Sequence, residues 1–161
     1  MDDRPQIQAN AEPSNPNAAL AQLNVLVGEW DMQASIGDRT LGSGRTVFSW
    51  LESGAFLAQH SEVDQEDFPT ATLLIGRDDA SETYCMLYFD SRGVSRVYQM
   101  SLSATGVWKM WREAPGFFQR FTGKISPDGN RITAGWERSN NGVFWEQDFD
   151  LTYTRVDQAD G

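Results

Sequence analysis

Residues 84–102 read Tyr-Cys-Met-Leu-Tyr-Phe-Asp-Ser-Arg-Gly-Val-Ser-Arg-Val-Tyr-Gln-Met-Ser-Leu, two alternating runs around a turn. Tyr84, Met86 and Tyr88 share one face of the first run, opposite Cys85, Leu87 and Phe89. Arg96, Tyr98, Met100 and Leu102 share a face of the second, and Ser91-Arg92-Gly93 between them has the chemistry of a tight reversal. A period of two over a short run reads as a half-buried strand, and two such runs joined by a turn read as an antiparallel hairpin.

The same pattern continues in both directions. Upstream it gives Trp30-Met32-Ala34-Ile36, Phe48-Trp50, Ala71-Leu73-Ile75, and a run in which Phe56, Ala58, His60 and Glu62 oppose Leu57, Gln59, Ser61 and Val63. Downstream it gives Trp108-Met110-Arg112, Phe117-Gln119-Phe121, Ile132-Ala134-Trp136 and Trp145 to Arg155. Turn residues separate the runs, among them Thr105-Gly106, Pro115-Gly116, Asp128-Gly129 and Asn141-Gly142. About ten strands joined by hairpins form an antiparallel meander. Left open, that sheet would expose long edges and a wide apolar face, so the expected fold is a closed up-and-down β-barrel.

One short helix precedes the strands. Asn17 is placed to cap it, Leu20, Leu23, Leu26 and Val27 form an apolar stripe of helical period, and Gly28 can end it. Residues 1–16 hold three of the six prolines among Asn, Gln and Ala, and read as a disordered tail. The domain then spans 17–156, with 157–161 frayed.

Composition excludes several function classes. The chain has 161 residues with 13 Lys+Arg against 23 Asp+Glu, a net charge of -10 that repels nucleic acid and anionic lipid surfaces. Neither a signal peptide nor a stretch long enough for a membrane span is visible, so the expected compartment is the cytoplasm. One cysteine, Cys85, and one histidine, His60, cannot build a disulfide or a zinc site. No metal is expected. Asp64, Glu66 and Asp67, and Glu137, Glu146, Asp148 and Asp150, lack calcium-loop spacing and read as solvated charge. Cys85 reads as a small buried thiol.

The helix, then Gly28-Glu29-Trp30 opening the first strand, then a meander ending in Tyr153-Thr154-Arg155, resembles the calycin superfamily of lipocalins, fatty-acid-binding proteins and nitrobindin-like barrels. Leu-Val-Gly-Glu-Trp, Tyr-Phe-Asp-Ser-Arg-Gly-Val and Trp-Glu-Arg-Ser are similar to a bacterial calycin-like family of unknown function. The resemblance covers roughly residues 18–155. It implies that Trp30 closes the barrel floor with a late arginine over its indole, Arg155 or, failing that, Arg138. It implies haem only through the nitrobindin-like barrels, whose iron is held by a histidine late in the chain. This sequence has none there, so no cofactor is expected.

A calycin-like barrel implies an internal cavity, with Trp50, Trp108 and Trp136 as its largest candidate lining. Arg96 and Tyr98 resemble the Arg-plus-Tyr carboxylate clamp of fatty-acid-binding barrels, with Arg112, Gln119 and Arg120 placed to join it. The alternative is that these arginines reach the rim or pair with Glu113, Glu137 or Asp148 outside. His60 reads either as a general acid/base or haem ligand, or as a surface histidine bonded to a neighbour.

Three functions stay open. One is binding of a small hydrophobic, possibly anionic molecule. Another is a cofactor-independent isomerase, cyclase or lyase using His60 and Tyr98 as acid/base. The third is a filled barrel acting as an interaction module, with a homodimer among its forms.

Overall fold

The computed structural model describes residues 18–78 and 83–157. The expected N-terminal tail, the Asn17 cap and residues 158–161 lie outside the described residues. Ten antiparallel strands follow one another around a closed barrel: β1 (Gly28–Ile36), β2 (Arg39–Leu51), β3 (Phe56–Val63), β4 (Ala71–Arg77), β5 (Tyr84–Asp90), β6 (Ser95–Leu102), β7 (Val107–Arg112), β8 (Phe118–Ile125), β9 (Arg131–Ser139) and β10 (Glu146–Arg155). Each strand pairs with its sequence neighbours, and β1 pairs with β10 to close the ring, Trp30 lying opposite Arg155.

The opening helix differs from the expected α-helix. Ala18–Leu26 is wound as a 3₁₀ helix. Its period of three residues per turn puts Leu20, Leu23 and Leu26 on one face, and all three are buried against the barrel. Val27 falls outside the helix and is only half-buried. The stripe therefore had a spacing of three, not 3.6.

β2 begins at Arg39, well ahead of the Phe48-Trp50 pair that marks it in the sequence. Gly42-Ser43-Gly44 looks like a turn but lies within the strand. Gly44 sits between Met32 of β1 and Val63 of β3, where a Cβ would collide with the Glu62 carbonyl. Here glycine permits close strand approach rather than reversal.

Helix and strand ends meet at the floor. Trp30 is fully buried and donates from its indole Nε1 to the Leu26 carbonyl at 2.9 Å. The Arg155 guanidinium lies 4.2 Å from the Trp30 ring centre. It also donates to the carbonyls of Val27 (2.6 Å), Val25 (2.7 Å) and Gly129 (3.0 Å), tying the end of the helix to the β8–β9 turn. Gly28 has φ +129, and a Cβ there would stand 2.7 Å from Arg155 Nη1. Arg138, the fallback for this role, instead faces Glu146 from an exposed position. Above the floor, Trp108 packs edge-on against Phe48 and Phe121, with Tyr153 beside it, and fills the lower half of the barrel.

Candidate functional site

The upper half is hollow. A cavity of about 370 Å³ opens between the β3–β4, β5–β6 and β7–β8 turns, within the range usual for small-molecule sites. Leu73, Met86, Met110, Phe121, Trp136 and Leu151 supply apolar wall. Phe68, from the long β3–β4 loop, meets Phe149 edge-on at 6.4 Å and partly roofs the cavity. A larger groove of about 680 Å³ runs along the outside over Asp31, Gln33, Arg45, Thr152 and Thr154. Its solvent-facing polar walls lack apolar enclosure, so the internal cavity is the candidate site.

One wall carries a polar cluster. Alternation along β6 turns Arg96 and Tyr98 inward, and Gln119 of β8 meets them. Gln119 Oε1 accepts from the Tyr98 hydroxyl at 2.7 Å and from Arg96 Nη1 at 3.4 Å. The Arg96 guanidinium also lies 5.4 Å from the Phe117 ring centre. Among the described residues Arg96 makes no ion pair with a carboxylate, although Asp148 borders the same cavity. Burial raises the Tyr98 pKa despite the opposing pull of Arg96 and Arg112, which keeps the phenol neutral.

A second cluster stands near the mouth. The Asp90 carboxylate is enclosed and accepts from Tyr88 Oη at 2.8 Å, from the Arg92 backbone N–H at 2.9 Å and from Arg92 Nη2 at 2.7 Å. The Arg92 bonds hold the Asp90 carboxyl well below the usual carboxylate range, with Tyr88 adding to the effect. Burial, and then the bond to Asp90, pushes the Tyr88 hydroxyl up. Tyr88 and Arg92 both line the cavity.

The sequence candidates divide between inside and outside. Arg96, Tyr98, Gln119 and Trp136 line the cavity. Arg112 pairs with Gln119 across the β7–β8 ladder and adds positive field at Tyr98 without lining the space. Trp108 belongs to the packed lower half. Trp50 donates to Asn24 Oδ1 at 3.0 Å and anchors the helix. Arg120 points outward, where it forks onto Glu137 at 2.9 Å and stacks 4.0 Å from the Trp145 ring centre.

His60 also points outward. It is exposed, with Nδ1 3.0 Å from Thr72 Oγ1 and Nε2 3.2 Å from Glu62 Oε1. The inward face of β3 is Leu57, Gln59, Ser61 and Val63, so His60 and Tyr98 do not form an acid/base pair across the cavity. Since His60 is the only imidazole in the chain, a histidine-ligated haem does not fit this cavity. No group of three or more His, Cys, Asp or Glu among the described residues is placed to hold a metal.

Two other expectations change. Cys85 is exposed, because Tyr84, Met86 and Tyr88 take the inward positions of β5. Asp148, expected outside, borders the cavity, because the register between β9 and β10 shifts at Gln147–Phe149 and breaks the alternation. Leu87, Phe89 and Val97 leave an exposed apolar strip on the outer face of β5 and β6.

No protein-family model and no curated protein sequence matches the chain. Among solved structures it is similar to the crystal structure of Rv2717c from M. tuberculosis, with a TM-score of 0.65 and 14% sequence identity over 89% of this chain and 100% of that one. At that identity the likeness is one of fold.

Proposed function

We propose that the barrel binds a small, largely apolar molecule that carries an anionic or hydrogen-bond-accepting group. The observation that carries this reading is the Arg96 guanidinium, without an ion-pair partner among the described residues, on the wall of a cavity of about 370 Å³. A guanidinium with hydrogen-bonding capacity to spare beside an apolar wall is suited to a ligand that brings a carboxylate or other acceptor. Gln119, itself held by the Tyr98 hydroxyl, bonds the guanidinium at 3.4 Å, and the apolar walls accept the rest of the molecule. The Trp30–Arg155 floor supports placing this barrel among the calycin-like folds that the sequence resembles.

The test uses 2-naphthoic acid as a probe, followed by calorimetry. Binding should occur in the wild type and weaken by about 2 kcal/mol, roughly thirtyfold, in Arg96→Leu. Equal affinity in the two proteins would remove Arg96 from the site. Native mass spectrometry of protein purified gently from its own host should in addition show an adduct of small-molecule mass.

A further inference from the structure

We propose that the ligand is bifunctional, with an anionic or accepting group at one end and a hydroxyl or N–H donor at the other. This rests on the cavity being a binding site, and adds which groups the molecule carries and which way it lies. The observation is the contrast between two glutamines on the barrel wall.

Gln119 has its carbonyl fully engaged, since Oε1 takes both the Tyr98 hydroxyl and Arg96 Nη1. Its Nε2 and the remaining Arg96 N–H groups are left to donate. That wall therefore offers donors, and suits a carboxylate. Gln59 is the opposite. It is 4% exposed, it lines the cavity, and its Oε1 has no hydrogen-bond partner. Its Nε2 stands 3.5 Å from Ser61 Oγ, which is itself bonded to Thr46 Oγ1 at 2.7 Å. A buried amide carbonyl without a donor is destabilising, and the terminal amide torsion is soft enough to turn it toward one.

The ring topology sets the two groups apart. Gln59 is on β3 and Gln119 on β8, five strands away in either direction around the ten-stranded ring. They stand on opposite walls. A simple hydrocarbon acid satisfies only the Arg96 side, whereas an acid with a distal hydroxyl satisfies both. The accepting end lies toward β6 and β8, and the donor end toward β3.

The experiment compares 6-hydroxy-2-naphthoic acid with 2-naphthoic acid by titration calorimetry on the full chain. The wild type should bind the hydroxy acid about tenfold more tightly. In Gln59→Leu the ratio of the two affinities should fall to about one, whatever the change in affinity for 2-naphthoic acid itself. Gln59→Met, closer in shape, gives the same readout if the leucine variant melts early. Equal binding of the two acids by the wild type, or a preference that survives both substitutions, overturns the donor assignment and leaves the cavity reading intact. Failure of both acids to bind overturns the cavity reading for this ligand class, and the donor assignment with it.

Discussion

Two arginines of the same barrel, Arg155 at the floor and Arg96 in the upper half, are used in opposite ways. Arg155 gives four hydrogen bonds to three backbone carbonyls and covers an indole. Arg96 makes one long bond to a side chain and borders a cavity. The strands and their alternation are the same at both levels. What separates the structural arginine from the one proposed to bind is unused hydrogen-bonding capacity, which is visible only once partners are known. The packed lower half has one exception, the Trp108 indole N–H, which is buried without a partner.

The sharpest way to break this comparison is to remove each guanidinium in turn. Arg155→Met should cost about 4 kcal/mol, because it deletes the bonds and leaves the Val25, Val27 and Gly129 carbonyls unanswered. Arg96→Met should cost less than about 1 kcal/mol in stability, although it removes the proposed anion-binding group. Urea unfolding of both proteins measures the gap, and similar losses would mean that the two ends are equally structural.

A second comparison uses the tryptophans. Trp108→Leu, in the packed lower half, should destabilise by about 3 kcal/mol, and Trp136→Leu, on the cavity wall, by about 1 kcal/mol. Thermal melts with matched protein concentrations order them. If Trp136 proved as costly as Trp108, the upper half would be packed in solution. Gly28→Ala should cost about 2 kcal/mol, since it strains the backbone and crowds Arg155, and its melting temperature should fall between those two variants.

The smallest effects are in the pH dependence. The Asp90 carboxyl is depressed in the folded protein, so its contribution is complete above the unfolded value near 4 and is lost as pH falls below that. Asp90→Asn should flatten the acid limb of a urea-midpoint profile and leave its alkaline limb unchanged. Tyr88, Tyr98 and Tyr153 have raised values because they are buried. Their contribution is complete below about pH 10 and is lost as pH rises beyond it, so the wild type should weaken on that side.

Much of the fold was legible because period-two alternation and turn residues are local signals. All ten strands were marked by them, whereas the floor at Trp30 was indicated only by the resemblance that Gly28-Glu29-Trp30 carries. The cavity lining was legible only where a polar group broke an apolar pattern, as at Arg96 and Tyr98. β3 shows why the rest was hidden. Both of its faces mix apolar and polar residues, so alternation could not say whether His60 or Gln59 faced inward. Asp90 and Arg92 read as an ordinary turn, because their bonds fold back over two residues. The shift that brings Asp148 to the mouth depends on how β10 lies on β9, which no run of residues records by itself.

The bond from Arg155 to the Val27 carbonyl joins positions 128 residues apart. Every other strand pairing joins neighbours and can form as a local hairpin. The seam between β1 and β10 cannot, and Arg155 is the last residue of the last strand. A chain emerging from a ribosome therefore carries β1 unpaired on one edge until β10 has been made. High sequence separation of this kind slows folding and leaves an exposed edge open to mispairing. The residue that covers the floor thus also sets the moment at which the barrel can close.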